Sequence, residues 1–318
     1  MPIIWITGGK GFIGRHLSRY CAGHGATVAG IGHGSWPAGD AHRWSVSHWL
    51  NGEIESSNLS QLARVSGPPD TVFHLAGGSS VGLSLENPLE DFTRTVETTA
   101  RLLEWARIHA ASARIVAVSS AAVYGAGHAG PIAEEAPVRP YSPYGHHKAM
   151  MEGLCRSYGE SFGLRSAIVR LFSVYGEELH KQLLWDICCK LDAGESAPLL
   201  LGGTGREIRD WLHVSDAAAL LWLAQQACSP ACPAVNGGTG RGVAVADVAR
   251  VVCEAWQVPA SIRFSGRARP GDPERLVADP ARATAMGFAP AVPFAQGVGG
   301  TVDWYRSRAR RSRTESAG

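Results

Sequence analysis

The chain has 318 residues, 45% of them apolar and 18% charged, with a formal net charge of +2 at neutral pH. That is enough apolar material for one large or two modest domains, and the near-neutral balance excludes a strongly electrostatic partner such as nucleic acid. No stretch reaches the roughly 18 apolar residues of a membrane span, and the start "MPIIWITGG" is too short and too poor in basic residues for a signal peptide. Seven cysteines without a framework spacing fit a reducing compartment, so a soluble cytoplasmic protein is expected.

Through the N-terminal half, short β-branched runs alternate with longer amphipathic stretches, the pattern of βαβ units on a parallel sheet. Strands are predicted at 3–7, 27–31, weakly near 49–54, and at 71–75, 114–118 and 166–170, with helices at about 13–23, 88–110 and 144–162. After Arg170 the alternation breaks and glycine and proline become frequent, which marks a second, smaller lobe. Cys228 and Cys232 have no second pair and no nearby histidine, so they read as small apolar residues and no metal site is expected. The basic run from Arg306 to the end reads as a solvated, frayed tail over 306–318.

Residues 6–15, "ITGGKGFIGR", fit two glycine patterns: Gly9, Gly11 and Gly14, or Gly8, Gly11 and Gly14. With 38 glycines in the chain neither spacing means much alone. The context supplies the meaning: a strand ends at Thr7, a helix begins near Phe12, and the free N–H groups of that helix can hold a pyrophosphate. An acid about 20 positions on usually takes the adenine ribose hydroxyls. Gly32 and His33 stand there instead, and His33, Ser35 or Arg43 could contact a 2′-phosphate. The cofactor is read as NAD(P)(H), leaning to NADP(H).

In "SPYGHHK", Tyr144 and Lys148 are spaced at i and i+4 and share one face of a helix. A tyrosine acts as a base at neutral pH only if its pKa falls by about three units, roughly 4 kcal/mol of preference for the phenolate. The Lys148 ammonium and an oxidised nicotinamide are expected to provide that, and Lys148 can also bond the nicotinamide ribose. One strand earlier, "VSSAAVYG" places Ser120 at the carboxyl end of a strand, where it can orient the oxygen that Tyr144 deprotonates. His146 and His147 read as solvated or packed histidines.

Together, "TGGKGFIG", "VFHLAGGSSV", "VSSAAVYG", "YSPYGHHK", "RLFSVYG", "GREIRDWLHVSD" and "RPGDPERLVAD" resemble, in order, the extended short-chain dehydrogenases/reductases acting on nucleotide sugars, over residues 3–305. The resemblance implies a Rossmann-type doubly wound α/β fold. It implies a dinucleotide-binding domain over 1–172, also receiving about 212–236, and a substrate lobe from 173–211 and 237–305. It selects Gly8, Gly11 and Gly14, with Phe12 and Ile13 beside the cofactor. It makes Ser120, Tyr144 and Lys148 catalytic, lines the cofactor with Leu75, Ala76 and Gly77, and sets Glu53 and Ile54 near the adenine. Arg209 and Arg269 match arginines that grip a substrate diphosphate, Asp272 lies beside the nucleoside, and Ser79 and Ser173 occupy substrate-side positions. A homodimer through helices near 90–108 and 145–160 is also implied.

Departures narrow the reaction. Family dehydratases carry Asp-Glu after the catalytic hydroxyl, where this chain has Ala121 and Ala122. Ser173 and Thr95 replace family asparagines, and Ser79 replaces a sugar-side lysine of the galactose epimerases. What remains is a nucleotide-sugar C4 epimerase, with an NADPH-dependent 4-ketoreductase as alternative and a non-catalytic dinucleotide sensor as a remote one.

Overall fold

The computed structural model describes residues 1–37, 39–194, 198–259, 261–267 and 273–316. Strand β1 (Ile3–Thr7) leads into α1 (Phe12–Gly23), followed by β2 (Thr27–Gly32), α2 (Asp40–Arg43), β3 (His48–Asn51), α3 (Ser56–Ser66) and β4 (Thr71–His74). Then come α4 (Val81–Glu86), α5 (Pro88–Phe92), α6 (Thr98–His109), β5 (Arg114–Ser120), α7 (Pro143–Phe162) and β6 (Arg165–Leu171). The second half adds β7 (Ser173–Tyr175), α8 (Gln182–Asp192), β8 (Leu199–Leu201), β9 (Ile208–His213), α9 (Val214–Ala224) and β10 (Ala234–Gly237). It ends with β11 (Gly242–Ala244), α10 (Val245–Ala255), β12 (Ile262–Phe264), β13 (Arg275–Leu276), α11 (Ala281–Ala285) and α12 (Phe294–Ser316).

Seven parallel strands form one sheet in the order β3-β2-β1-β4-β5-β6-β10. They are apolar on both faces because helices cover both: Ile4, Trp5 and Ile6 of β1 are all buried. On one face Leu17 of α1 and Leu220 and Leu221 of α9 pack with Ile4 and Ile6. On the other, Leu59 of α3, Leu102 and Leu103 of α6 and Met151 of α7 pack with Trp5 and Ile115. Each such side chain contributes roughly 1.5–3 kcal/mol by leaving water. The strand order reverses beside β1, and the crevice outside the carboxyl ends of β1 and β4 is where such sheets bind ligands.

In the second lobe β9 pairs with β7 and β13 in parallel and with β11 antiparallel. Tyr175, Val248, Val252, Val298 and Val302 form its core. The basic run expected to fray from residue 306 instead continues α12 through Ser316. At the start of that run Arg306 donates to the Trp256 carbonyl at 2.6 Å, and its guanidinium lies 4.5 Å from the Trp256 ring centroid. The helix expected over 88–110 is broken by a π-helical turn at Thr93–Glu97, a feature that tends to mark functional sites.

Candidate active site

The turn between β1 and α1 is built so that only glycine fits. Gly8 has φ +69°, and a Cβ on it would lie 3.1 Å from the Ala76 backbone nitrogen. A Cβ on Gly14 would lie 2.6 Å from the Gly8 carbonyl oxygen, closer than such atoms approach. The Gly11 N–H donates to that same oxygen at 2.9 Å. Gly8 by its φ and Gly14 by contact are the positions most closed to a side chain, whereas a Cβ on Gly9 would lie 3.2 Å and one on Gly11 3.1 Å from the nearest carbonyl oxygen. Gly11 also caps α1 without any side-chain hydrogen bond, which leaves the first helical N–H groups available to an anion. A dinucleotide pyrophosphate fits this cradle.

The ends of β1 and β4 are fastened by a hydroxyl–imidazole chain. Thr7 Oγ1 accepts the N–H groups of Leu75 and Ala76 at 3.2 and 3.1 Å and bonds His74 Nδ1 at 2.8 Å. His74 Nε2 in turn bonds Thr99 Oγ1 at 2.9 Å. Because Thr7 already accepts twice, its own hydrogen points to Nδ1, which assigns the tautomer with hydrogen on Nε2. Burial, then the Lys148 charge, push His74 down to about 3, so the ring is neutral.

From this turn opens a cleft of about 1230 Å³. Gly8, Gly11, Phe12, Ile13, Gly14, Leu75, Ala76 and Gly77 line it, with His33, Glu53 and Ile54 and with Ser79, Ser120, Tyr144 and Lys148. Tyr144 and Lys148 fall one turn apart on α7, whose start is set by Ser142 capping the Gly145 N–H and by Pro143 in the first turn. Lys148 Nζ donates to the Val118 carbonyl at 2.9 Å and lies 5.9 Å from the Tyr144 ring centroid. Burial pushes the ammonium down to about 8, against the opposing attraction of Asp91 and Glu152.

The Tyr144 phenol departs from expectation: within the protein alone its pKa is raised, not lowered. Burial is the main cause; the hydrogen bond with Ser120 opposes it, and the Asp91 charge adds to it. Ser120 Oγ accepts the Ala122 N–H at 3.2 Å, which fixes the hydroxyl at the strand end.

Three supports were not visible in the sequence. Asp91 bonds His147 Nδ1 at 2.6 Å and packs so closely on Gly78 that a side chain there would collide with it. Thr95, standing where the family has asparagine, accepts the Gly78 N–H at 2.8 Å from the π-turn. Behind the catalytic strand, Glu152 accepts Ser119 Oγ at 2.7 Å and Arg170 at 2.9 and 2.7 Å.

The substrate-side expectations fare unevenly. Ser173 sits between the cleft-lining Phe172 and Val174 without itself lining the cleft, because alternate residues of a strand face opposite ways. Arg209 lies on β9 and donates to the Ile208 carbonyl at 2.9 Å, away from the described cleft walls. Arg269 and Asp272 fall outside the described residues. Among the described residues no cluster of His, Cys, Asp or Glu could hold a metal ion.

The model of the NAD dependent epimerase/dehydratase family matches residues 4–235. The chain belongs to that family. A UDP-glucose 4-epimerase of Azospirillum brasilense is 34% identical over 96% of this chain and 92% of its own length. A dTDP-glucose 4,6-dehydratase of an Actinoplanes species is 30% identical over 96% and 98%. The solved structure of MoeE5 in complex with UDP-glucuronic acid and NAD superposes with a TM-score of 0.85 at 29% identity, covering 96% of this chain and 99% of that one. This member is therefore an enzyme of the extended short-chain dehydrogenase/reductase type.

Proposed function

We propose that this family member is a nucleotide-sugar C4 epimerase. One observation carries the reading: Ser120, Tyr144 and Lys148 line the same cleft as the glycine cradle, while the two residues after Ser120 are alanines. A bound nicotinamide supplies a hydride acceptor and, when oxidised, a positive charge. Tyr144 takes the proton of the sugar 4-hydroxyl, and Ser120 holds the oxygen it leaves. Lys148, fixed by the Val118 carbonyl, orients the nicotinamide ribose. Burial raises the phenol within the protein alone, so the positive charge of an oxidised nicotinamide would favour the phenolate.

Ala121 and Ala122 are buried methyl groups that move no protons, which argues against the water elimination named for some relatives. The β2 terminus favours a second reading, an NADPH-dependent 4-ketoreductase, because Gly32 and His33 offer no acid to the ribose hydroxyls. Arg209, Arg269, Asp272, Ser79 and Ser173 are proposed for the nucleotide-sugar side. The remote reading, a sensor without chemistry, fits poorly with an intact Tyr144 and Lys148. No helix among the described residues is long and apolar enough to cross a membrane.

A homodimer is proposed as well. Leu85 (61% exposed), Leu89 (76%), Ile108 (57%) and Met150 (50%) leave large apolar side chains in water on α4 to α7.

Denaturing the purified protein and identifying the released nucleotide, then following UDP-, dTDP- and GDP-sugars by NMR, tests the assignment. Retained NAD with interconversion of C4 epimers supports the epimerase. Empty protein that oxidises NADPH only with a 4-keto sugar replaces it with the reductase.

A further inference from the structure

Asp91 on α5 and His147 on α7 meet beside the catalytic pair without lining the cleft. The His147 Nδ1–H donates to Asp91 Oδ2 at 2.6 Å, and the two side chains are only 12% and 6% exposed. The Phe92 ring stands edge-on to the imidazole, with centroids 5.5 Å apart. His147 immediately precedes Lys148 and follows Tyr144 by three residues. Asp91 forms no ion pair with a lysine or arginine among the described residues. Desolvating a carboxylate costs free energy that one imidazole contact offsets only in part, so the pair is poorly explained as a device for stability.

The carboxylate and the catalytic ammonium flank one short segment. A Cβ on Gly77 would lie 3.2 Å from Lys148 Nζ, and one on Gly78 would overlap Asp91 Oδ1 outright. Thr95 fixes that segment by accepting the Gly78 N–H at 2.8 Å. Only a glycine backbone separates the two groups, so the Asp91 charge acts through a space that water screens poorly. Burial is the larger influence, lowering Lys148 and raising Tyr144; the Asp91 charge raises both. The other charged or titratable neighbours are Glu152, which supports Lys148 while bonded to Arg170, and the neutral His74 on β4. On the packed helices Glu86 is exposed, Glu90 pairs with Arg94 at 2.5 Å and Glu97 with Arg101 at 2.6 Å.

We propose that Asp91, oriented by His147, is a positioning residue that keeps Lys148 charged and fixes the Gly77–Gly78 wall between that lysine and the cleft. The inference rests on the proton transfer by Tyr144 read above and adds a control to it. Without the carboxylate, Lys148, already pushed down to about 8 by burial, sheds its proton nearer neutral pH. The same charge restrains the phenolate, so Asp91 moves the ammonium and the phenol together in one direction.

The test is a titration of the protein loaded with NAD, which needs no knowledge of the sugar. Ultraviolet difference absorbance between proteins with and without Tyr144→Phe follows the Tyr144 phenolate. Competitive acetylation with acetic anhydride, read by mass spectrometry, follows Lys148 apart from Lys10, Lys181 and Lys190, the other lysines of the chain. Asp91→Asn has the same shape and can still accept from His147; it is expected to move both transitions to lower pH by about half a pH unit or more. His147→Asn keeps an N–H donor and the Asp91 charge, and is expected to leave both transitions within about 0.2 pH unit of their place. Retained dinucleotide binding shows that each variant is folded. Transitions that stay put in Asp91→Asn, or that move apart, overturn the proposal, as does a His147→Asn protein whose transitions move as far as those of Asp91→Asn. An unaltered protein in which no phenolate signal depends on Tyr144 instead removes the Tyr144 reading itself.

Discussion

The Lys181 ammonium donates to the Ser79 hydroxyl at 2.9 Å and to the Ser79 carbonyl at 3.2 Å, joining the second lobe to the segment after β4 across a cleft that both residues line. The galactose epimerases that the sequence resembles carry a lysine at the Ser79 position; this chain brings an ammonium to it from another segment. The Lys181 loop is held in strain: Glu178 and Gln182 both have φ +70°, a conformation costing about 1–3 kcal/mol for a residue with a side chain. Arg15 of α1 pins Glu178 at 3.1 Å.

Lys181→Met should therefore raise KM for the nucleotide sugar by about tenfold or more and change kcat by less than about threefold, the pattern of a lost binding contact. Steady-state kinetics decide it. A fall in kcat at unchanged KM would place Lys181 in the chemical step instead.

Acid should destabilise the fold through His74. The folded ring has its pKa depressed to about 3, whereas in the unfolded chain it titrates near 6.5. Its contribution is thus fully present above about pH 6.5 and is lost as pH falls from there toward 3, reaching about 2 kcal/mol at pH 5. Urea unfolding at pH 7.5 and pH 5 measures the loss, and His74→Gln should show a smaller one. Equal losses in the two proteins would remove His74 as the cause.

Glu152→Ala should cost about 3–5 kcal/mol, because it leaves the Arg170 guanidinium buried without its carboxylate. Denaturant midpoints report this directly. A cost under about 1 kcal/mol would mean that Arg170 finds compensation in its remaining bonds, to the Tyr124 hydroxyl and the Glu134 carbonyl.

If the apolar faces of α5 and α7 meet a second copy, Leu89→Glu combined with Met150→Glu should convert a dimer into a monomer. Sedimentation equilibrium of both proteins checks it, and a monomeric unaltered chain would contradict the dimer.

What could be read in the sequence was what short spacing dictates. The glycine turn, the strand alternation and the Tyr144–Lys148 pair each depend on neighbours within a few residues, so periodicity and capping chemistry revealed them. The π-turn was hidden because the apolar pattern of 88–110 reads as one helix. Lys181 meets Ser79 across 102 residues, and Asp91 meets His147 across 56. Such pairings are set by how the lobes and helices pack, for which local spacing carries no signal. Arg306 likewise meets Trp256 across 50 residues, a partner that charge patterning does not reveal.

The central claim is that Tyr144 performs proton transfer at a sugar C4 hydroxyl. It is tested most directly by supplying UDP-, dTDP- and GDP-sugars with nicotinamide cofactor to the unaltered protein and to Tyr144→Phe and following C4 by NMR. Redox chemistry at C4 should occur with the unaltered protein and fall by at least about a hundredfold in Tyr144→Phe, while dinucleotide binding is retained. Full turnover by Tyr144→Phe would contradict the account.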